Sequence, residues 1–306
     1  MANASTSNAT LNAQIPGASN TVSFRHSYAE RRTLGNAVLS GLAILFSVVA
    51  MLPLFSVLYM LLVKGAAMLS PSLFTELTPG AGMDGGGIAN AIVGTLVVVV
   101  VATALALPLG FMGAVYLAEY GGESRLATTV RFAGKVLTGL PSILAGVFAY
   151  AMVVVTTGSF SALAGGCAMA ILMVPTVMLT AESALRGVPS KMKNAAFGMG
   201  CTRAEVVLKI VIPTAIPGIL TGVMLALARA MGETAPLLFT ALFSDYMFEG
   251  KIQQPIASLS VLIYNFAGSP FEHQVALAWA ASLVLVCIVL VLNVVAQIAT
   301  RRPEEH

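Results

Sequence analysis

The chain has 306 residues, of which 58% are apolar and 9% charged, with a net charge of +3 and a mean hydropathy of +0.90. An ordinary soluble domain carries about 25% charged residues, and a water-soluble fold cannot hide so much apolar side chain. A soluble enzyme, a secreted scaffold and a disordered chain are thereby excluded, and so small and scattered a charge leaves no footprint for nucleic acid.

Residues 1–24 are rich in Ala, Asn, Ser and Thr and carry no charge. They are too polar to order themselves and lack the basic and apolar regions of a signal peptide, so they read as a disordered tail. Six apolar stretches follow, each near the roughly 20 residues a spanning helix needs. They are Leu34–Val63, Ile88–Leu117, Leu137–Thr156, Ala162–Leu179, Ile219–Phe243 and Val275–Ala299. Only Thr157–Ser161 separates the third from the fourth, which predicts a tight antiparallel pair. Between the spans, Lys64–Gly87 and Ser244–Gln274 are too short to be domains and are expected to form a lip on one side. An all-α membrane protein of six helices results.

The basic residues orient it. With the N-terminus inside, thirteen fall on the inner side: Arg25, Arg31, Arg32, Arg125, Arg131, Lys135, Arg186, Lys191, Lys193, Arg203, Lys209, Arg301 and Arg302. Only Lys64 and Lys251 fall outside, and Arg229 lies within a span. That bias predicts both ends in the cytoplasm, which also makes the glycosylation sequons at Asn3 and Asn8 chance matches.

The inner loop from Ala181 to Gly218 has structure of its own. Pro189-Ser190 reads as a helix start with Ser190 at the N-cap, running to about Phe197 and ending at Gly198 or Gly200. Thr202 and Glu205 have capping-box spacing, opening a second helix that Pro213 breaks or bends. A helix–turn–helix at the membrane face is expected, with small residues Asn194-Ala195-Ala196 in its middle and Lys191 and Lys193 as charge at its rim. An amphipathic helix resting on anionic lipid fits the same composition.

Within the fifth span stands Ala228-Arg229-Ala230-Met231-Gly232-Glu233-Thr234-Ala235-Pro236. Arg229 lies about 15 Å beyond Ile219 along an unbroken helix, near the middle of a roughly 30 Å core. Such an Arg costs several kcal/mol unless it meets a partner or a water-filled path. Glu233, at i+4, shares its face, and Pro236 removes a backbone hydrogen bond beside the pair. A structural ion pair and a pore-facing cation that binds an oxyanion transiently both fit. Arginine's planar fork suits an oxyanion, and passage requires weak binding.

Elsewhere chemistry is sparse. Cys167, Cys201 and Cys287 are far apart and read as small hydrophobes. His26, His273 and His306 are isolated, so neither metal nor cofactor is expected. No Gly-x-x-x-x-Gly-Lys-[Ser/Thr] occurs, since Gly134-Lys135 and Gly250-Lys251 both lack the upstream Gly and the hydroxyl. Energy must come from another polypeptide.

Two motifs carry a resemblance. Asn194-Ala195-Ala196, Gly200 and Ile210-Val211-Ile212-Pro213 resemble the loop signature of ABC-importer permeases, with Asn194 and Ile212 departing from its Glu and Leu. Gly232-Glu233-Thr234-Ala235-Pro236-Leu237-Leu238-Phe239-Thr240 resembles the fifth span of the A-type permease subunits of bacterial phosphate-specific ABC transporters. Asn90-Ala91-Ile92-Val93-Gly94-Thr95 and Gln254-Pro255-Ile256-Ala257 add to the likeness, which covers about residues 88–299.

The resemblance implies a type I ABC importer permease domain over 34–300, with tails at 1–33 and 301–306, in a bacterial inner membrane. It implies that loop 181–218 docks on the ATPase through Lys191, Lys193, Asn194, Ala195, Ala196, Gly200, Ile210 and Pro213. It also implies that Arg229 and Glu233, with Thr234 beside them, line the phosphate path. The partners implied are a related C-type permease, two cytoplasmic ATP-binding subunits, an extracytoplasmic phosphate-binding protein and membrane lipid; the chain itself is not an enzyme. Sulfate or molybdate as cargo, an ion-coupled secondary transporter and a respiratory pore subunit remain alternatives.

Overall fold

The computed structural model describes residues 31–300. The expected tails, with Asn3, Asn8, His26, Arg301, Arg302 and His306, lie outside the described residues, apart from 31–33.

Every regular element described is helical. In chain order they are α1 (Arg31–Ala66), α2 (Pro71–Thr75), α3 (Ala89–Val115, run on by a π turn at Tyr116–Tyr120) and α4 (Arg125–Thr138). Next come α5 (Ser142–Ala149), a π turn at Tyr150–Val154, α6 (Val155–Thr157), α7 (Ala162–Arg186) and α8 (Ser190–Gly198). The order closes with α9 (Arg203–Val206), a π turn at Val207–Val211, α10 (Ile212–Gly232), α11 (Ala235–Leu238), α12 (Leu259–Ala267) and α13 (Glu272–Thr300). Among the described residues five helices are long and apolar enough to cross a membrane, and the pair Arg125–Thr138 and Ser142–Thr157, bent by 103°, makes a sixth if counted as one crossing.

Residues up to Ser56 and from Val57 onward form two units. In the first, α1 exposes apolar side chains all round, among them Leu39, Ile44, Phe46 and Phe55. Such a helix belongs in lipid or against protein.

In the second unit α3, α7 and α10 pack around Val98, Ala102, Met169, Met173, Val177, Val223 and Ala226. Lipid gives apolar helices no reason to associate, so close contact through small residues does the work. At Gly222 an added Cβ would come within 2.2 Å of Thr180 Oγ1. A second core joins α12, α13 and the start of α3 through Leu73, Ile88, Leu259, Leu262, Phe266 and Leu277.

Three expectations change. The third span does not run unbroken from Leu137: Gly139-Leu140-Pro141 ends α4, because a residue before proline is pushed out of helical geometry. The remaining Ser142–Thr157 is only about 24 Å long. The segment Ser244–Gln274 is not simply a lip, since α12, capped by the Ser258 hydroxyl accepting from Val261 N–H at 3.4 Å, is built into the second core. The fifth span ends at Gly232, well short of Phe243. The pairing of the third and fourth spans stands, with α5 against α7 and Gly158 turning the chain at φ +71°.

Candidate functional site

The loop 181–218 folds nearly as read. Helix α8 starts one residue earlier in its cap: Pro189, not Ser190, holds the N-cap, and Ser190 makes no capping bond. Proline's fixed φ suits that boundary. The helix ends at Gly198, and Gly200, at φ +86°, turns the chain in the left-handed conformation that glycine adopts without penalty. The capping box forms, with Glu205 N–H donating to Thr202 Oγ1 and the Thr202 N–H donating to Glu205 Oε2 at 3.0 Å. Pro213 neither breaks nor ends the second helix. The π turn Val207–Val211 precedes it, and Arg203–Gly232 runs as one helix.

Helix α8 presents Lys191, Met192, Asn194, Ala195 and Phe197 to the outside, with Met199 just beyond, and buries only Ala196. Ile210 is half-buried against the core at the foot of the second helix. Lys193 is an ion-pair partner, its Nζ 2.5 Å from Glu119 Oε1, with side chains 20% and 10% exposed.

Glu119 belongs to a cluster of charges at the end of α3. The last carbonyls of a helix have no partner within it, and its C-terminus attracts cations. At the end of α3 the Leu117 carbonyl accepts from Arg131 Nη2 at 2.8 Å and Arg186 Nη2 at 3.3 Å. Glu182, buried on α7, accepts from Arg131 Nε at 2.6 Å and faces Arg186 Nε at 3.0 Å. The Glu119 carbonyl accepts from Arg203, whose guanidinium lies 4.9 Å from the Tyr120 ring centroid. Four basic residues from four elements thus meet one helix end. The signal available in the sequence was the pair of acidic residues, Glu119 and Glu182, set among basic ones.

Arg229 and Glu233 are brought together, in altered surroundings. Glu233 has left the helix, with φ −78° and ψ 125°, so Arg229 stands in the last turn of α10. From Ile219 to Arg229 the helix is unbroken, as the 15 Å spacing assumes, and it ends three residues beyond Arg229. Pro236 lies in the first turn of α11, where its missing N–H is harmless; it has no N–H for the Gly232 carbonyl, the bond a continuous helix would need at the point where α10 ends. Arg229 Nε is 3.5 Å from Glu233 Oε1, and the side chains are 48% and 19% exposed. Among the described residues Glu233 is the one ion-pair partner of Arg229.

The break itself is enclosed. Ser260 Oγ donates to the Glu233 carbonyl at 3.1 Å, and Thr234 Oγ1 donates to the Ser260 carbonyl at 3.5 Å. Pro236 sits so close to α5 that a Cβ at Gly146 would come within 2.6 Å of its Cα. Irregular backbone among spanning helices is tolerated where protein buries it or where it lines a cavity. Ser260 was missed in the sequence, being one serine in a segment read as a lip.

The two remaining motifs face each other. A Cβ at Gly94 would meet the Ala257 carbonyl at 1.9 Å, and Thr95 Oγ1 accepts from Leu259 N–H at 2.8 Å. The Gln254 carbonyl accepts from Ala162 N–H at 3.1 Å, completing the start of α7. These residues brace the break from behind. The arrangement offers a half-open guanidinium beside a carboxylate at one end of the Arg203–Gly232 helix. The α8 surface lies at the other, since Val206 and Arg229 are about 35 Å apart along the axis. No group of His, Cys, Asp and Glu able to hold a metal occurs among the described residues.

Residues 106–304 match the family described as the inner membrane component of binding-protein-dependent transport systems. The chain is 43% identical over 242 residues to the phosphate transport system permease protein PstA of Yersinia pestis, covering 79% of this chain and 82% of that one. It is 40% identical over 263 residues to PstA of Haemophilus influenzae, covering 86% and 93%. Among solved structures, a chain of the methionine ABC transporter MetNI in inward-facing conformations superposes with a TM-score of 0.53 at 19% identity, over 71% of this chain and 95% of that one.

Proposed function

The chain belongs to the family of inner membrane components of binding-protein-dependent transport systems, and from that premise we propose that it is the translocation subunit of an ATP-driven importer of inorganic phosphate. The observation that carries the cargo is the identity of 40–43% to phosphate permeases over most of both chains. The Arg229–Glu233 pair supplies the chemistry. A half-exposed guanidinium can donate two parallel hydrogen bonds to an oxyanion. The adjacent carboxylate competes for it and keeps the hold weak enough for release. Thr234 adds a hydroxyl beside the pair.

The thirteen-to-two bias of basic residues supports an orientation with the chain before α1 and after α13 in the cytoplasm. Helices α8 and α9 then face the cytoplasmic ATP-binding subunits, which hydrolyse ATP; this chain performs no covalent chemistry. The exposed Lys191, Met192, Asn194, Ala195 and Phe197 form the docking face, Gly200 sets the turn, and Ile210 and Pro213 carry the segment into α10. A related second permease and an extracytoplasmic phosphate-binding protein complete the importer. The spans alternate between outward- and inward-open states as two ATP-binding subunits close and part. Residues 34–300 act as one permease domain.

The test is uptake of labelled phosphate into vesicles carrying the assembled complex, with and without ATP, with excess sulfate, and with Arg229→Gln. ATP-dependent, sulfate-insensitive uptake that is lost in the variant supports cargo and path together. Unchanged uptake in Arg229→Gln makes the pair structural. An assembled complex that hydrolyses ATP without moving phosphate, but moves sulfate or molybdate, overturns the cargo.

A further inference from the structure

The cluster at the end of α3 has a property that stability alone does not require. Its contacts tie the segment that faces the ATPase to the end of α3, in addition to the continuity of α9 with α10 and the packing of Ala196 in the core. Helix α8 is otherwise loosely held, with one buried residue, Ala196. Lys193 of α8 pairs with the Glu119 carboxylate, while Arg203 of α9 bonds the Glu119 carbonyl and stacks on Tyr120. Glu119 is therefore gripped from both sides of the Gly200 turn. Two residues back, the Leu117 carbonyl is held by Arg131 of α4 and Arg186 of α7. The π turn Tyr116–Tyr120, closed by Gly121 N–H on the Tyr116 carbonyl at 2.6 Å, presents these groups together. It is the kind of local departure from α geometry often found at functional positions.

We propose that Glu119 is the positioning residue that fastens α8 and α9 to α3, so that displacement of the ATPase-facing segment moves α3 with it. This rests on the importer reading. The carboxylate is nearly buried and its partner lysine mostly so, and such a pair is geometrically specific because separating its members leaves a charge uncompensated. A rigid link of this kind is what transmission between distant sites needs. Without it, α8 follows the ATPase while α3 stays behind, and ATP is hydrolysed without transport.

Two measurements on the full assembled complex test the link. The first is phosphate taken up per ATP hydrolysed. Glu119→Gln and Lys193→Glu are each expected to lower that ratio by about threefold or more, and the exchange Glu119→Lys with Lys193→Glu to restore most of it. An unchanged ratio in Glu119→Gln overturns the proposal. So does an exchanged pair that assembles no better, or couples no better, than the single variants.

The second is independent of cargo. Spin labels at Met112→Cys on α3 and Met199→Cys beyond α8, both strongly exposed, are introduced with Cys167, Cys201 and Cys287 replaced. Their separation is expected to stay constant between ATP-free and ATP-bound complexes and to change when Glu119→Gln is added. A separation that changes with the clamp intact overturns the proposal, even where phosphate proves not to be the cargo. Constancy alongside absent phosphate uptake overturns the cargo alone.

Discussion

Arg131–Glu182 and Arg229–Glu233 are chemically the same pair in opposite surroundings. The first is 2.6 Å apart, 20% and 7% exposed, and sealed by a second arginine and two carbonyls. The second is 3.5 Å apart, 48% and 19% exposed, and holds the guanidinium through Nε. The first pair is largely enclosed and spends Arg131 Nε and Nη2 on groups of the protein itself, which suits it to architecture. A more open pair can exchange partners, which transport requires. Exposure and the number of bonds made within the protein, not the residue types, separate the two pairs.

That contrast can be broken most forcefully at Glu182. Replacing it with Ala leaves Arg131 and Arg186 without their carboxylate, and a broken buried pair costs about 3–5 kcal/mol. The expected result is a large loss of folded protein from the membrane and a lowered melting temperature in detergent. A variant with unchanged melting would put the two pairs in the same class. At Arg229 the expectation reverses. Arg229→Gln should cut phosphate uptake by about a hundredfold, or roughly 2.7 kcal/mol, while stability shifts by less than about 1 kcal/mol because the pair is open.

Arg229→Lys sharpens the comparison further. It keeps the charge and removes the planar fork, so uptake should fall by only about tenfold, mainly through weaker apparent affinity. Equal loss in the Lys and Gln variants would show that fork geometry decides and charge does not. The smallest effect is expected at Gly200→Ala, where a φ of +86° becomes strained. The cost is about 1 kcal/mol, read as easier proteolysis at the α8–α9 turn with little change in global melting.

Much of this was legible along the chain. Hydropathy runs mark α1, α3, α7, α10 and α13, because a bilayer demands long apolar segments and little else resembles them. The Thr202–Glu205 capping box, the Gly200 turn and the i,i+4 spacing of Arg229 and Glu233 are local patterns, and each forms. The breaks were less legible. Pro213 suggested a break where a π turn precedes it and the helix continues, whereas the break at Glu233 is marked only by Gly232 before it and Pro236 after it. The Lys193–Glu119 pair was not legible, because a lysine in a basic loop does not show which carboxylate, 74 positions away, lies opposite it. Helix α12 was hidden in the same way, since nine residues are too short for a span and its burial depends on α3 and α13.

Composition and local spacing thus decided that this chain lives in a membrane, where most of its long apolar helices lie, and which short motifs cap and turn. Those are properties of neighbours in sequence and of transfer from water, to which each residue contributes independently. Tertiary structure decided which charges are spent and which are free. Glu119 and Lys193 are 74 positions apart, and Arg131 and Glu182 are 51 apart. Whether a guanidinium has its bonds made by its own protein or left for a ligand is a fact about convergence in space. Spacing along the chain carries no record of it.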